Sequence, residues 1–135
     1  MRNLPDIRPL LLRANRWECR FIPSSIVFAI SISLTRQSDA YFYRYESRNV
    51  NIAQGDLNEM LKAWSKSTFK AGLFTGEYRT AFLFIGKADL PTAEIYLSRD
   101  LKHVRLVVGG VRQEGVVTGP FADWVKRFLQ RRLSP

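Results

Sequence analysis

Glu94, Asp100 and His103 lie close together in the chain and carry the groups that general acid and base catalysis requires. Each also has an ordinary local role. Asp100 sits in the polar run Arg99 to Lys102, where a turn wants a side-chain acceptor, and His103 opens a strand. His103 is the only histidine and Cys19 the only cysteine, so a Cys/His zinc centre is implausible and no intramolecular disulfide can form. A reducing compartment is the simpler assumption. Gly109-Gly110 falls between two strand-like runs and precedes no helix, so it does not read as a phosphate-binding loop. No catalytic, cofactor-binding or metal-ligating residue is expected, and the chain reads as a non-enzyme without a cofactor.

Charge is the more informative feature. The 135 residues hold 21 Lys plus Arg against 12 Asp plus Glu, a net +9. Such an excess favours an anionic partner, most often nucleic acid, less often a membrane surface or an acidic protein; a basic composition that only keeps the protein in solution is the competing explanation. With 46% hydrophobic and 13% aromatic residues, the chain belongs to a folded class and is long enough for one core.

The elements that must position these residues follow from periodicity. Residues 1–16, with Pro5, Pro9 and the Leu10-Leu11-Leu12 run, read as an arm or a short helix, and Trp17 to Ile22 as a first strand. Ile26 to Leu34 alternates strictly in polarity, as a half-buried strand does and a secretion-signal core need not. The strand reading makes the protein intracellular, in cytoplasm or nucleoid; the signal reading, with residues 1–40 as leader, makes it secreted. Ala40 to Glu46 is β-prone, with Tyr41, Tyr43 and Tyr45 on one side, and Val50 to Ala53 is a short fourth strand. A helix begins near Asp56, which with Glu59 forms a capping-box-like pair, and shows Leu57, Met60, Leu61 and Trp64 on one face. A meander follows: Tyr78 to Ile85, apolar enough to be central, then Ala93 to Ser98, His103 to Val108 and Val111 to Val117, the last two joined at Gly109-Gly110. Pro120 opens a final helix with Phe121, Trp124, Val125, Phe128 and Leu129 on one face. Its Lys126, Arg127, Arg131 and Arg132 suit the negative end of the helix dipole and need no ligand.

The two helical segments echo each other, pairing Gly55 with Gly119, Leu57 with Phe121, Glu59 with Asp123, Lys62 with Lys126 and Trp64 with Phe128. The echo predicts an α+β fold of tandem ββββα-like units in a single compact domain over 17–135. Unit one covers 17–68 and unit two 72–135, each with an antiparallel sheet closed by its own helix. In plan, this arrangement resembles the Whirly and Pur-repeat families of single-stranded nucleic-acid binders. Locally, Gly86-Lys87-Ala88-Asp89-Leu90 is similar to the Lys-Gly-Lys-Ala-Ala-Leu signature of plant Whirly proteins, departing from it at Ile85 and Asp89 and falling in the second unit. The resemblance implies Lys87 as a nucleic-acid contact.

Binding a single strand requires cations for the phosphates and flat side chains for the bases. Arg44 among the tyrosines, Arg79 beside Tyr78, and Arg105 one strand from Tyr96 meet that requirement, with Tyr96 and Arg105 on the sheet face opposite Ile95, Leu97, Val104 and Leu106. The expectation is non-catalytic binding of single-stranded DNA or RNA on a basic, tyrosine-bearing sheet surface. Arg44, Arg79, Lys87, Lys102, Arg105 and Arg112 are assigned to phosphates and Tyr43 and Tyr96 to stacking. The alternative is a protein-interaction module, such as an inhibitor or adaptor of the kind phages and plasmids encode, or a secretion chaperone. Homo-oligomerisation stays open. Membrane-surface binding by the last helix ranks below both, because the sheet needs that helix's apolar face.

Overall fold

The computed structural model describes residues 2–3, 14, 16–21, 48–51, 53–74, 76, 78–86, 91–108 and 111–133. The strand expected at Ile26 to Leu34, the tyrosine strand at Ala40 to Glu46, the glycine hairpin at 109–110 and most of the amino-terminal arm lie outside the described residues. In chain order the elements are β1 (Arg2–Asn3), β2 (Arg16–Phe21), β3 (Arg48–Asn51), α1 (Gln54–Ser65), β4 (Thr68–Ala71), β5 (Tyr78–Ile85), β6 (Pro91–Ser98), β7 (His103–Val108), β8 (Val111–Thr118) and α2 (Pro120–Leu133).

The α+β class holds, but the described strands form one antiparallel sheet instead of two. Its body runs β4-β8-β7-β6-β5-β2, with β1 added outside β4 and β3 outside β2. β2, which the tandem plan assigned to a first sheet, pairs along its whole length with β5 of the second. β4, at the expected unit boundary, pairs with β8. The reason lies in β5: its eight residues are buried throughout, so the strand needs a neighbour on each edge and cover on each face. β6 supplies one edge and β2 the other.

Both helices pack on the same face of this sheet, against each other as well as against the strands. Leu57, Met60, Ala63 and Trp64 of α1 join Phe121, Trp124, Val125 and Phe128 of α2 over Cys19, Phe69, Phe82, Phe84, Ile95, Leu97, Val104, Leu106 and Val117. The rings interlock, with Trp64 edge-on to Phe121 at 4.9 Å and Trp124 stacked with Phe128 at 5.1 Å. Each large side chain so buried contributes about 1.5–3 kcal/mol relative to exposure. This packing confirms the apolar faces read from both helices. The Cys19 thiol, enclosed in that core, is pushed up to about 12 by burial, which leaves it inert as a nucleophile.

The helices run antiparallel, as the contacts at their ends establish. At one end the buried Ser67 hydroxyl donates to the Ala63 carbonyl of α1 at 2.9 Å and accepts the Phe121 N–H of α2 at 3.0 Å. At the other, Arg131 near the end of α2 reaches Asp56 at 3.6 Å and Glu59 at 3.8 Å in the first turns of α1. Asp56 is therefore not the capping residue expected from sequence. Ala53 holds the N-cap position without a side-chain bond, and Asp56, inside the helix, faces an arginine.

Two glycines permit close approaches. At Gly115 in β8 a Cβ would run into the Lys70 carbonyl and the Phe69 ring. Gly119, between β8 and α2, has φ +130° and lies against Ser67. Gly55, its partner in the sequence echo, sits within α1 with nothing within 4 Å of a would-be Cβ, so the echo does not describe equivalent positions. Gly119→Ala is expected to destabilise the protein by about 1–3 kcal/mol. Gly55→Ala is expected to stabilise it by roughly 0.5 kcal/mol. Urea unfolding of both variants checks the contrast.

Candidate nucleic-acid interface

The sheet face away from the helices carries Tyr96 and Arg105 of the residues singled out from sequence, together with Tyr78. Register places Glu114, Arg105, Tyr96 and Ala81 in one row across β8, β7, β6 and β5. The Arg105 guanidinium carbon lies 5.1 Å from the Tyr78 ring centre and 4.9 Å from that of Tyr96, with the two rings 6.2 Å apart. Tyr96 donates its hydroxyl hydrogen to Glu94 Oε1 at 2.9 Å. Arg105 thus holds cation–π contacts with two tyrosines, with carboxylates on its own and the neighbouring row.

These side chains do not form an accessible binding platform. Tyr96 is 0% exposed, Arg105 1% and Arg79 6%. Tyr78, Ala81, Leu83, Ile85, Tyr96 and Val107 form a second buried cluster with Phe74 packed against it. Assignment of Tyr96 to stacking and of Arg79 and Arg105 to phosphates is corrected accordingly: the face is opposite the helix core, as expected, but a face opposite one core need not be wet. Arg79 lies at the register shift between Tyr78 and Thr80, which sets it apart from the regular alternation. Tyr43, Arg44 and Lys87 lie outside the described residues.

Lys102 and Arg112 are exposed, but far apart. The Lys102 carbonyl accepts from Val117 N–H at one end of the β7–β8 ladder, whereas Arg112 pairs with Val107 near the other. Five residues of strand separate them, about 17 Å. They do not form one contact surface with each other.

Nor do Glu94, Asp100 and His103 converge on a reaction centre. Asp100 builds its turn, accepting from the Ser98 hydroxyl and from Lys102 N–H at 3.0 Å, while His103 N–H donates to Ser98 Oγ at 3.1 Å. Partial burial would raise the Asp100 pKa, but those hydrogen bonds outweigh it and hold the carboxyl below its ordinary value. The His103 ring stacks on Phe74 at 4.4 Å, and Glu94 is engaged by Tyr96. Among the described residues no cluster of His, Cys, Asp and Glu could hold a metal ion.

The exposed cations that do come together are on the helices. A groove of about 690 Å³ runs between α1 and α2, with Lys62 and Lys66 on one bank and Arg127 and Arg131 on the other. Ala63, Pro120 and Trp124 lie between them, and Glu59 and Gln130 complete the lining. Each bank is an i, i+4 pair, which puts its two charges about 6 Å apart along the helix. Arg131 is engaged by Asp56 and Glu59, whereas Lys62, Lys66 and Arg127 make no ion pair among the described residues. Sequence reasoning assigned the α2 cations to the helix dipole and did not select Lys62 or Lys66. The i, i+4 basic pairs flanking each apolar stripe were the available signal, but their meeting depends on the antiparallel packing.

No protein-family model, no curated protein and no solved structure matches this chain. No helix among the described residues is long and apolar enough to cross a membrane.

Two measurements test the structural role of the sheet cluster. Arg105→Ala removes a buried cation from between two tyrosines and near two carboxylates, and is expected to cost about 3 kcal/mol in urea unfolding. Burial, reinforced by the Glu114 charge and opposed by Arg105, raises the Tyr78 phenol above its ordinary value. The unfolded chain then loses this proton at lower pH than the folded one, so stability is full below the unfolded pKa of about 10 and falls as pH climbs beyond it. Tyr78→Phe should flatten that alkaline decline when unfolding free energy is followed against pH.

Proposed function

We propose that the protein binds single-stranded DNA or RNA without catalysing a reaction, through the basic groove between α1 and α2. The single observation behind this reading is the convergence of Lys62, Lys66, Arg127 and Arg131 from two helices onto one groove. Nucleic-acid affinity is dominated by phosphate neutralisation, and a groove with cations on both banks offers charge from two sides to a strand lying along it. The net charge of +9 supports the same partner class by attracting polyanions over a distance. The resemblance in plan to Whirly and Pur-repeat proteins adds no support, because it rested on two sheets and the described strands form one.

A protein-interaction module is the second reading, favoured by a different feature. Leu73 is 88% exposed and Val111 63%, and Arg112 and Glu114 line a small hollow with Leu73 beside the sheet. Exposed apolar side chains of this size suit protein contacts. They offer nothing to a phosphate backbone.

Fluorescence anisotropy of a labelled oligonucleotide across a salt series separates the two. Three to four phosphate contacts predict a slope of log affinity against log salt of about −2 to −3 for a single strand. Absence of binding at low salt would overturn the nucleic-acid reading and leave the protein-interaction one.

A further inference from the structure

We infer that the groove between α1 and α2 receives one unpaired base of the bound strand, laid against the Arg127 guanidinium over the floor of Ala63, Pro120 and Trp124, with Lys62 and Lys66 on the flanking phosphates. The inference rests on the nucleic-acid reading and specifies how a strand is held. A site that recognises phosphates alone needs cations and nothing between them, yet here an apolar floor separates the two basic banks. Its volume of about 690 Å³ is ligand-sized, and between the charged side chains of its banks it presents the apolar surface of Ala63, Pro120 and Trp124.

Flat surfaces for the base are limited. Trp124 lines the groove but offers no stacking face, since its ring is stacked with Phe128 at 5.1 Å and with Phe121 at 6.4 Å. It serves as floor, with an indole N–H that has no hydrogen-bond partner among the described residues. The planar groups left at the groove are the two guanidiniums. Arg131 is engaged by Asp56 and Glu59 at the far end, so stacking falls to Arg127, which is exposed and makes no ion pair among the described residues. A guanidinium plane stacks on bases where an ammonium cannot. In a duplex the bases are paired and stacked, and drawing one out costs a few kcal/mol, so the same floor selects single strands.

The test compares three probes of equal length by anisotropy at low salt: a single strand, its duplex, and a single strand of abasic residues with the same phosphates. Each is titrated with the wild-type protein and with Arg127→Lys, which keeps the charge and removes the plane. The expected result is that the single strand binds about tenfold more tightly than the duplex or the abasic strand, the value of roughly one stacked base. Arg127→Lys should bring the single strand down to the level at which the same variant binds the abasic strand. Equal affinity for the single and abasic strands, or an Arg127→Lys variant that binds like wild type, would overturn base insertion while leaving the charge-based reading in place. If no probe binds wild type, the nucleic-acid reading falls, and the inference with it.

Discussion

One hydroxyl governs how the two halves of this molecule meet. Ser67 follows α1 and precedes β4; its oxygen caps the end of α1 by donating to Ala63 and the start of α2 by accepting from Phe121. The Ala63 carbonyl also accepts from Lys66 N–H at 3.3 Å, but the Phe121 N–H opens a helix and has no intrahelical acceptor, so burying the junction without Ser67 would leave that donor without a partner. Gly119 makes the contact geometrically available, since its positive φ and missing side chain let the chain turn against Ser67. From this joint follow the antiparallel pairing of the helices, the ring contact between Trp64 and Phe121, and the engagement of Arg131 by Asp56 and Glu59 at the opposite end.

Placing both helices on one sheet face decides where charge can go. The apolar stripes of α1 and α2 are buried against the sheet and each other, and the basic residues flanking each stripe are left at the rim of the groove between them. On the other sheet face Arg105 is enclosed among Tyr78, Tyr96 and nearby carboxylates. An enclosed arginine with aromatic and acidic neighbours stabilises and specifies a packing arrangement but meets no ligand in this state. Arg105 is thus enclosed, whereas Arg127 and Arg131 stay exposed.

Local rules made much of this legible. The spans of β5 and β7 were read to the residue from apolar content and alternation, and the apolar faces of both helices from their period. β4 was missed because Thr68 to Ala71 is too short to alternate visibly and is a strand only by virtue of its neighbours β8 and β1. The division into two sheets failed because pairing of β2 with β5 is a long-range choice that no local pattern encodes. The burial of Tyr96 and Arg105 was out of reach for a related reason: alternation placed them on a shared face, but whether a face is wet depends on what packs over it. The helix cations were visible as residues, but only the packing brings them onto one groove.

We propose that charge on the helix pair, and not charge along the sheet, binds the anionic partner. Two double variants measured side by side with the same labelled single strand test it most directly: Lys62→Glu with Arg127→Glu, and Lys102→Glu with Arg112→Glu. Both pairs change the net charge equally and all four residues are exposed. The helix pair of substitutions is expected to abolish binding at moderate salt, while the sheet pair leaves most of it intact. Loss of binding in the sheet variant with retention in the helix variant would contradict it.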